Sequence, residues 1–186
     1  MARTESNMLP LGTKAPEFTL PDTVSGTNLS LRDLPSAKAT VFMFICNHCP
    51  YVLHVKEELV RLAKDYQPQG VAFVAISSND VVSYPQDGPD RMKVFAEENG
   101  FTFPYLFDET QEVAKAYDAA CTPDFYVFDK DLRLKYRGRL DESRPREENP
   151  KPVTGRDVRI ALDAILANQP VSEMQYPSMG CNIKWK

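Results

Sequence analysis

The sequence predicts an α/β fold in which helices flank a central mixed sheet. Residues 41–45 and 71–76 are apolar runs without a polar break, which is typical of strands buried on both faces. Residues 51–66 lie between them with the apolar spacing of an amphipathic helix, so the three segments form a right-handed βαβ unit. Two further runs, 125–128 and 132–137, are joined by a short polar turn and predict an antiparallel hairpin in the same sheet.

The segment ahead of the βαβ unit is expected to add a small hairpin at the N-terminal side. Residues 1–15 are expected to form a loose or strapping arm. Short alternating runs at 18–20 and 28–31 flank residues 22–26, which contain Asp, Ser and Gly. This pattern predicts a β-hairpin.

The middle of the chain alternates between a polar loop and short elements. Residues 77–90 are rich in Asn, Asp, Pro and Gly and predict a loop, and Pro89 suits the first turn of the helix that follows. Residues 101–107 are apolar but interrupted by a proline, which restricts them to an edge strand. Asp108 and Gln111 have capping-box spacing ahead of a short helix.

The last part of the chain is predicted to hold one loop, one helix and a tail. Residues 141–152 contain three prolines and no aliphatic or aromatic side chain, so an exposed loop of low order is expected. Thr154 is predicted to cap a final helix, with Asp157 three residues after the cap. Residues 169–186 show no clear period and are expected to be a tail.

Length and composition limit the classes of protein. A chain of 186 residues is expected to be a single domain, residues 1–186, with a core at 12–168. The net charge of −4 gives no case for binding nucleic acid or an anionic membrane. The N-terminus lacks the apolar region of a signal peptide, and no stretch approaches the roughly 18 apolar residues of a membrane span. We therefore expect a cytoplasmic protein, in which four cysteines indicate catalysis or metal binding rather than structural disulfides.

The segment Cys46-Asn47-His48-Cys49-Pro50 is the strongest chemical signal. It lies between the first apolar run and the amphipathic helix, so a buried strand leads into a helix through a C-x-x-C turn. The first sulfur is expected at the helix N-terminus, where unpaired N–H groups and the helix dipole favour a thiolate. This arrangement predicts a redox-active dithiol.

The order of strands predicts where this dithiol lies. Parallel strands end at the same edge of a sheet, and an antiparallel partner begins there. Residues 46–49, the loop 77–90 and residues 121–123 should therefore converge, at the edge where open α/β sheets place their sites.

Four blocks of sequence carry a family resemblance. They are APEFTLPDTVSGTNLSLRDL, CNHC, FPYLFDETQEVAKAYDA and TPDFYVFDKDLRLKYRG. In this order they resemble the thioredoxin superfamily, closest to its peroxiredoxin-like (AhpC/TSA, redoxin) branch, across residues 12–168. The resemblance implies a thioredoxin-like fold in which Cys46 is the attacking thiolate, Cys49 is the resolving cysteine, and Thr122-Pro123 is the Thr–cis-Pro pair beside the dithiol.

Five positions depart from the patterns of these families. Peroxiredoxins carry P-x-x-x-T-x-x-C, and the register that matches its cysteine to Cys49 places Phe42 and Cys46 at the other two positions. Thr40 stands where thioredoxin has a buried Asp. Between the cysteines, Asn47-His48 replaces Gly-Pro, and a histidine here resembles the more oxidising members such as disulfide isomerases. His48 is expected either to stabilise the thiolate or to be a solvated residue at the helix start.

The remaining cysteines and the second histidine have weaker signals. Cys121 is expected to point toward the dithiol, with a supporting role, or into the core, where free cysteine is common. Cys181 is expected to be a structural or incidental thiol of the tail, with a resolving cysteine on a mobile tail as the alternative. His54 lies on the exposed face of the helix by its period and is expected to be inert.

A metal site is the alternative use of the same residues. Cys46, Cys49 and either His48 or Cys121 could supply three or four soft ligands. The sequence has no second C-x-x-C and no histidine pair, so we expect neither a metal nor a cofactor.

These features predict a thiol–disulfide oxidoreductase that uses a Cys46/Cys49 dithiol. The expected supporting residues are Asn47, His48, Cys121 and Thr122-Pro123. The alternatives are a thiol peroxidase and a non-enzymatic metal-binding or redox-sensing protein of the same fold. The expected partners are a disulfide or peroxide substrate, either protein or small molecule, and a thiol reductant. The oligomeric state is left open.

Overall fold

The computed structural model describes residues 3–35 and 37–186 and confirms the α/β class. The strands are β1 (Arg3–Glu5), β2 (Thr19–Pro21), β3 (Asn28–Ser30), β4 (Ala39–Phe44), β5 (Val71–Ser77), β6 (Tyr105–Phe107), β7 (Cys121–Thr122), β8 (Asp124–Asp129), β9 (Leu134–Gly138) and β10 (Met179–Asn182). The helices are α1 (Pro50–Tyr66), α2 (Pro89–Glu98), α3 (Glu112–Ala116) and α4 (Arg156–Leu166). None of the helices in the described residues is long and apolar enough to cross a membrane.

The central sheet has five strands in the order β6-β5-β4-β8-β9. Strand β4 pairs with β5 in parallel and with β8 in antiparallel orientation, and β6 lies at the edge, as predicted. The hairpin β8–β9 and the separate N-terminal hairpin β2–β3 are also confirmed. The sheet is therefore mixed, with its parallel and antiparallel parts meeting at β4.

Strand β4 is central because both of its faces are apolar. All six of its residues are buried, as are all seven of β5. Val41 and Met43 face the core beneath α1 and α4, while Phe42 and Phe44 face a cluster of aromatic rings on the opposite side. The period-two alternation of a strand thus divides one apolar run between two cores.

The segment before α4 corrects two expectations. Helix α4 begins at Arg156 with Gly155 as its N-cap, so Thr154 is not the cap. The buried carboxylate of Asp141 instead accepts hydrogen bonds from the backbone N–H groups of Thr154 and Gly155, at 2.7 and 2.8 Å. Residues 141–152 are therefore not an exposed loop throughout, because an acceptor within the loop satisfies the donors at the helix start.

The predicted arm and tail form a second, three-stranded sheet. Strand β10, from the expected tail, pairs in antiparallel orientation with β1 on one side and β7 on the other. Short strands that contain glycine carry no readable period, which is why the sequence predicted only a tail here. Residues 1 and 2 of the expected arm lie outside the described residues, as does residue 36. From Arg3 the arm is described, and β1 is the part of it that joins this sheet.

Gly180 allows β10 to lie directly on β7. A Cβ atom at this position would lie 1.9 Å from the carbonyl oxygen of Thr122 and 2.6 Å from its carbonyl carbon. Since both neighbours are backbone atoms, no side-chain movement could relieve the overlap. The close approach of the two strands therefore requires glycine.

Asp124, at the start of β8, is a buried acid without a cationic partner among the described residues. Its carboxylate accepts hydrogen bonds from the Tyr126 hydroxyl at 2.9 Å and from the Phe125 N–H at 3.0 Å. Burial dominates over these bonds and raises the pKa of Asp124 to about 8. The folded protein thus binds a proton at this site that the unfolded chain releases at lower pH.

We expect Gly180→Ala to reduce the free energy of unfolding by about 2–3 kcal/mol, because the added methyl group meets backbone. Urea unfolding measures the change, and Met179→Ala in the same strand is the control. A loss below about 0.5 kcal/mol, the size of an ordinary surface effect, would contradict the packing described for β10.

Asp124 should make the protein less stable as the pH rises. Because the pKa of this acid is raised on folding, its contribution to stability is lost progressively between pH 3.8 and about 8. Asp124→Asn should remove this part of the pH dependence in urea unfolding, whereas Asp129→Asn, at the other end of β8, should retain it. An unchanged pH profile in Asp124→Asn would show that the carboxyl is not the group responsible.

Candidate active site

Three segments that are distant in the sequence meet at the carboxyl ends of β4 and β5. The N–H of Asn47 donates to the carboxylate of Asp87 at 2.8 Å, which joins the C-x-x-C turn to the loop after β5. The sulfur of Cys46 lies 3.5 Å from the hydroxyl of Thr122, which joins the same turn to β7. The structure therefore brings together the three segments that were expected to converge.

Cys49, rather than Cys46, occupies the N-terminus of α1. The helix begins at Pro50 with Cys49 as its N-cap, and the Cys49 carbonyl accepts hydrogen bonds from the N–H groups of Val52 and Leu53, each at 3.0 Å. The expectation that the first sulfur lies at the helix N-terminus is wrong. Proline at the first helical position sets the start of the helix after the second cysteine.

The sulfur atoms of three cysteines lie near the start of α1. The Cys49 sulfur lies 2.7 Å from the sulfur of Cys181, on β10, and 3.3 Å from the carbonyl oxygen of Thr122. Cys46 is also close enough to Cys49 for each thiol to shift the pKa of the other. All three cysteines are free and buried, with Cys46 and Cys49 only 1% and 0% exposed, so the dithiol is closed to solvent.

The groups around the two cysteines of the motif shift their pKa values in opposite directions. Thiol donors from Cys181 and Cys46, together with the N–H of Val52, hold the pKa of Cys49 well below its ordinary value, against the opposing effect of burial. The hydrogen bond to Cys49, burial and the charge of Asp87 raise the pKa of Cys46. Both shifts act in the direction that favours the negative charge on Cys49, the sulfur at the helix N-terminus.

Asp87 organises the polar side of the site. Its carboxylate is fully buried and accepts hydrogen bonds from the Asn47 N–H, from His48 Nδ1 at 2.6 Å and from Asn79 Nδ2 at 2.9 Å. The His48 ring stacks on Tyr84, and its Nε2 atom is buried without a hydrogen-bond partner among the described residues. His48 is therefore a fixed part of the site and not a solvated residue.

The side chain of Asn47 completes the attachment of the turn. Its amide donates to the carbonyl of Gln86 at 2.9 Å and accepts from the hydroxyl of Tyr105 at 3.0 Å. Sequence reasoning located the loop that supplies Asp87 but did not identify Asp87 or Tyr105. An acid in a polar loop carries no signal of its own, because only the fold shows which acid faces the dithiol.

The Thr122-Pro123 peptide bond is cis, as the resemblance implied. It directs the Thr122 hydroxyl toward Cys46 and the Thr122 carbonyl toward Cys49. The Pro123 carbonyl accepts a hydrogen bond from the hydroxyl of Ser178, just before β10. The cis-proline segment thus contacts both cysteines of the motif and the C-terminal strand.

Of the weaker expectations, Cys121 follows the alternative of a thiol in the core, and His54 differs from its prediction. In the described part of the chain, the Cys121 sulfur makes no hydrogen bond to another cysteine and instead faces the carbonyl of Pro123 at 3.9 Å. Burial raises the pKa of the Cys121 thiol, which opposes a role as a thiolate. His54 is not simply exposed: its Nε2 atom lies 2.8 Å from the hydroxyl of Ser143, in a small cleft that Pro123 also lines.

The departures from the family patterns have structural reasons. Phe42 packs against Phe18, Tyr117 and Phe128, with ring centroids 5.5 to 5.8 Å apart, so it belongs to the aromatic core and not to the site. Thr40 is buried at the far end of β4, opposite Phe128. The buried carboxylate nearest the dithiol is instead that of Asp87, on the neighbouring loop.

Cys46, His48 and Asp87 could together offer ligands to a metal, since one donor atom of each lies within 4.8 Å of the others. However, the Asp87 carboxylate already accepts three hydrogen bonds, one of them from the His48 ring. These bonds occupy the carboxylate within the protein, and the absence of a metal stays a prediction.

Comparisons with known proteins give the family. The sequence model of the AhpC/TSA family matches residues 11–137. "Putative peroxiredoxin Rv2521" of Mycobacterium tuberculosis is 32% identical over 116 residues, which are 62% of this chain and 68% of that protein. The thiol-disulfide oxidoreductase ResA of Geobacillus thermodenitrificans is 30% identical over 135 residues, 71% of each protein.

Solved structures show the fold. An uncharacterized conserved protein from Geobacillus kaustophilus is 62% identical, with a TM-score of 0.97 over 100% of this chain and 97% of that one. The thioredoxin domain of a thiol-disulfide oxidoreductase from Bacteroides vulgatus is 17% identical, with a TM-score of 0.61 over 81% of this chain and 96% of that one, which establishes the thioredoxin-like fold. Because the family model covers more than half of the sequence, the chain belongs to the AhpC/TSA family.

Proposed function

We propose that the protein is a thiol–disulfide oxidoreductase that reacts through Cys46 and Cys49. The observation that carries the proposal is the arrangement of the free Cys49 sulfur at the start of α1, beside the cis-proline segment, with thiol donors that favour its thiolate. A thiolate is the nucleophile of thiol–disulfide exchange. The match to a relative named thiol-disulfide oxidoreductase supports the same class of reaction.

The proposed exchange has two steps. The Cys49 thiolate attacks one sulfur of a substrate disulfide, which forms a mixed disulfide and releases the first substrate thiol. Cys46 then attacks the Cys49 sulfur, so a Cys46–Cys49 disulfide forms and the second substrate thiol leaves. Two electrons pass from the two cysteines to the substrate, and a thiol reductant must return them.

This assignment exchanges the roles that the resemblance implied. Cys46 was expected to attack and Cys49 to resolve, but the helix start and the thiol donors favour the thiolate at Cys49. The Asp87 carboxylate works in the same direction, because its charge raises the pKa of Cys46 and keeps the proton there. Cys46 thus donates to the Cys49 sulfur until the mixed disulfide has formed.

Access and location are also part of the proposal. Because Cys49 is fully buried beneath β10, a substrate must displace part of that strand. The proposed substrate is a protein or small-molecule disulfide. The proposed compartment is the cytoplasm, where neighbouring thiols remain reduced between reactions.

A thiol peroxidase is the second candidate. The observation in its favour is the position of Cys49 at a helix N-terminus, together with the match to a protein named a peroxiredoxin. Phe42 and Cys46 occupy the positions of the family's Pro and Thr, and Phe42 lies in the aromatic core. Stopped-flow oxidation by hydrogen peroxide separates the candidates, since a rate no faster than that of a free thiol excludes the peroxidase.

We expect Cys49→Ser to abolish the reduction of insulin disulfides, because it removes the attacking thiolate. Cys46→Ser should slow turnover, and the double variant Cys46→Ser/Cys181→Ser, which leaves Cys49 without either neighbouring thiol, should accumulate a mixed disulfide at Cys49 that mass spectrometry detects. Circular dichroism of each variant controls for folding. Wild-type activity in Cys49→Ser would contradict the proposal.

Asp87→Asn should lower the pKa of Cys46, because it removes a negative charge that now raises it. The pH dependence of Cys46 alkylation, measured in a Cys49→Ser background, reports this pKa. Asp80→Asn is the matched control, since Asp80 lies on the same loop but bonds to the N–H of Val82. A Cys46 pKa that is unchanged or higher in Asp87→Asn would show that Asp87 does not act on the thiol.

A further inference from the structure

Cys181 lies at the site although it comes from outside the segment that matches the family. The match ends at residue 137, and Cys181 is contributed by β10. Its sulfur lies 2.7 Å from that of Cys49, and it is only 3% exposed. A cysteine expected to be an incidental thiol of the tail therefore contacts the sulfur on which the proposed reaction depends.

The backbone holds Cys181 in this position from both sides. In the three-stranded sheet, Cys181 is opposite Thr122 of β7 and opposite Arg3 of β1. The neighbouring Gly180 allows β10 to approach the carbonyl of Thr122. Strand register thus fixes the backbone of Cys181 beside Cys49. The contact between the two sulfurs therefore does not rely on a freely moving tail.

We propose that Cys181 is a third redox-active thiol, which exchanges with the Cys46–Cys49 disulfide to form a Cys49–Cys181 disulfide. This inference rests on the proposed function, because the Cys46–Cys49 disulfide is the product of that reaction. Cys49 is the common member of both disulfides, since it is the sulfur that contacts Cys46 and Cys181.

The exchange needs no further oxidant. Cys181 attacks the sulfur of Cys49, the Cys46–Cys49 bond breaks, the Cys49–Cys181 bond forms, and the proton of Cys181 passes to Cys46. One disulfide and one thiol are present before and after, so no electron is gained or lost. The oxidising equivalents are those already delivered by the substrate disulfide.

The local charges suit this step. In the reduced protein, the hydrogen bond to Cys49 and burial raise the pKa of Cys181, against the effect of the Lys184 ammonium. Once Cys49 is part of a disulfide, it no longer accepts the Cys181 proton, whereas Lys184 remains nearby. The new disulfide would join β10 covalently to the start of α1 and leave Cys46 as a thiol.

Disulfide mapping tests the inference directly. The reduced full-length protein is oxidised with hydroxyethyl disulfide, its free thiols are blocked with N-ethylmaleimide, and it is digested with trypsin without reduction. Peptide 39–56 carries both cysteines of the motif, peptide 160–184 carries Cys181, and peptide 116–130 carries Cys121. We expect peptide 39–56 to be linked to peptide 160–184, and an oxidised protein in which Cys181 is always alkylated would overturn the inference.

Variants assign the sulfurs and test for a purely structural role of Cys181. The link to peptide 160–184 should persist in the matched control Cys121→Ser and should be lost in Cys49→Ser. It should also persist in Cys46→Ser, where Cys181 attacks Cys49 in the mixed disulfide, the Cys49–Cys181 bond forms and the substrate thiol leaves. In Cys181→Ser and Cys181→Ala, oxidation should yield only the Cys46–Cys49 disulfide. Loss of the link in Cys46→Ser, or its persistence in Cys49→Ser, would contradict the assignment of Cys49 as the common partner.

The outcomes separate this inference from the proposed function. If the wild type forms only the Cys46–Cys49 disulfide and reduces insulin, the inference fails and the proposed function stands. If the Cys49–Cys181 disulfide forms but Cys181→Ser yields no Cys46–Cys49 disulfide, Cys181 is redox-active and the proposed role of Cys46 fails. If no disulfide forms at Cys49 in any variant, both fail.

Discussion

The contact of three sulfurs at the N-terminus of α1 is the constraint on which the rest of the site depends. A thiolate buried beneath β10 is costly unless donors surround it. Cys46, Cys181 and the N–H of Val52 supply these donors around Cys49. Without them, burial alone would raise the pKa of the Cys49 thiol.

The fold places these donors by joining elements that are distant in sequence. Strand β4 delivers the C-x-x-C turn to the sheet edge, and the loop after β5 supplies the Asp87 carboxylate that anchors Asn47 and His48. Strand β7 leads to the cis-proline and forms the surface on which β10 lies. The C-terminal strand is therefore part of the site, although it lies beyond the segment matched to the AhpC/TSA family.

The predictable features are those with a strong local or topological signal. The apolar run of β4, the helical period of α1 and the hairpin β8–β9 gave the sheet, and strand direction then gave the convergence at its edge. The importance of Cys181 was not predictable, because β10 is short, contains a glycine and is defined by its partners. Asp87 was missed since nothing local distinguishes it from the other acids of its loop.

The rest of the site depends on a thiolate at Cys49. The ultraviolet absorbance of that thiolate tests its position most directly. Titration of the reduced protein should show one thiolate at a pH well below the ordinary range of cysteine. That signal should persist in Cys46→Ser and in Cys121→Ser, and should disappear in Cys49→Ser. A signal that survives in Cys49→Ser and disappears in Cys46→Ser would place the thiolate on the first cysteine and contradict the account.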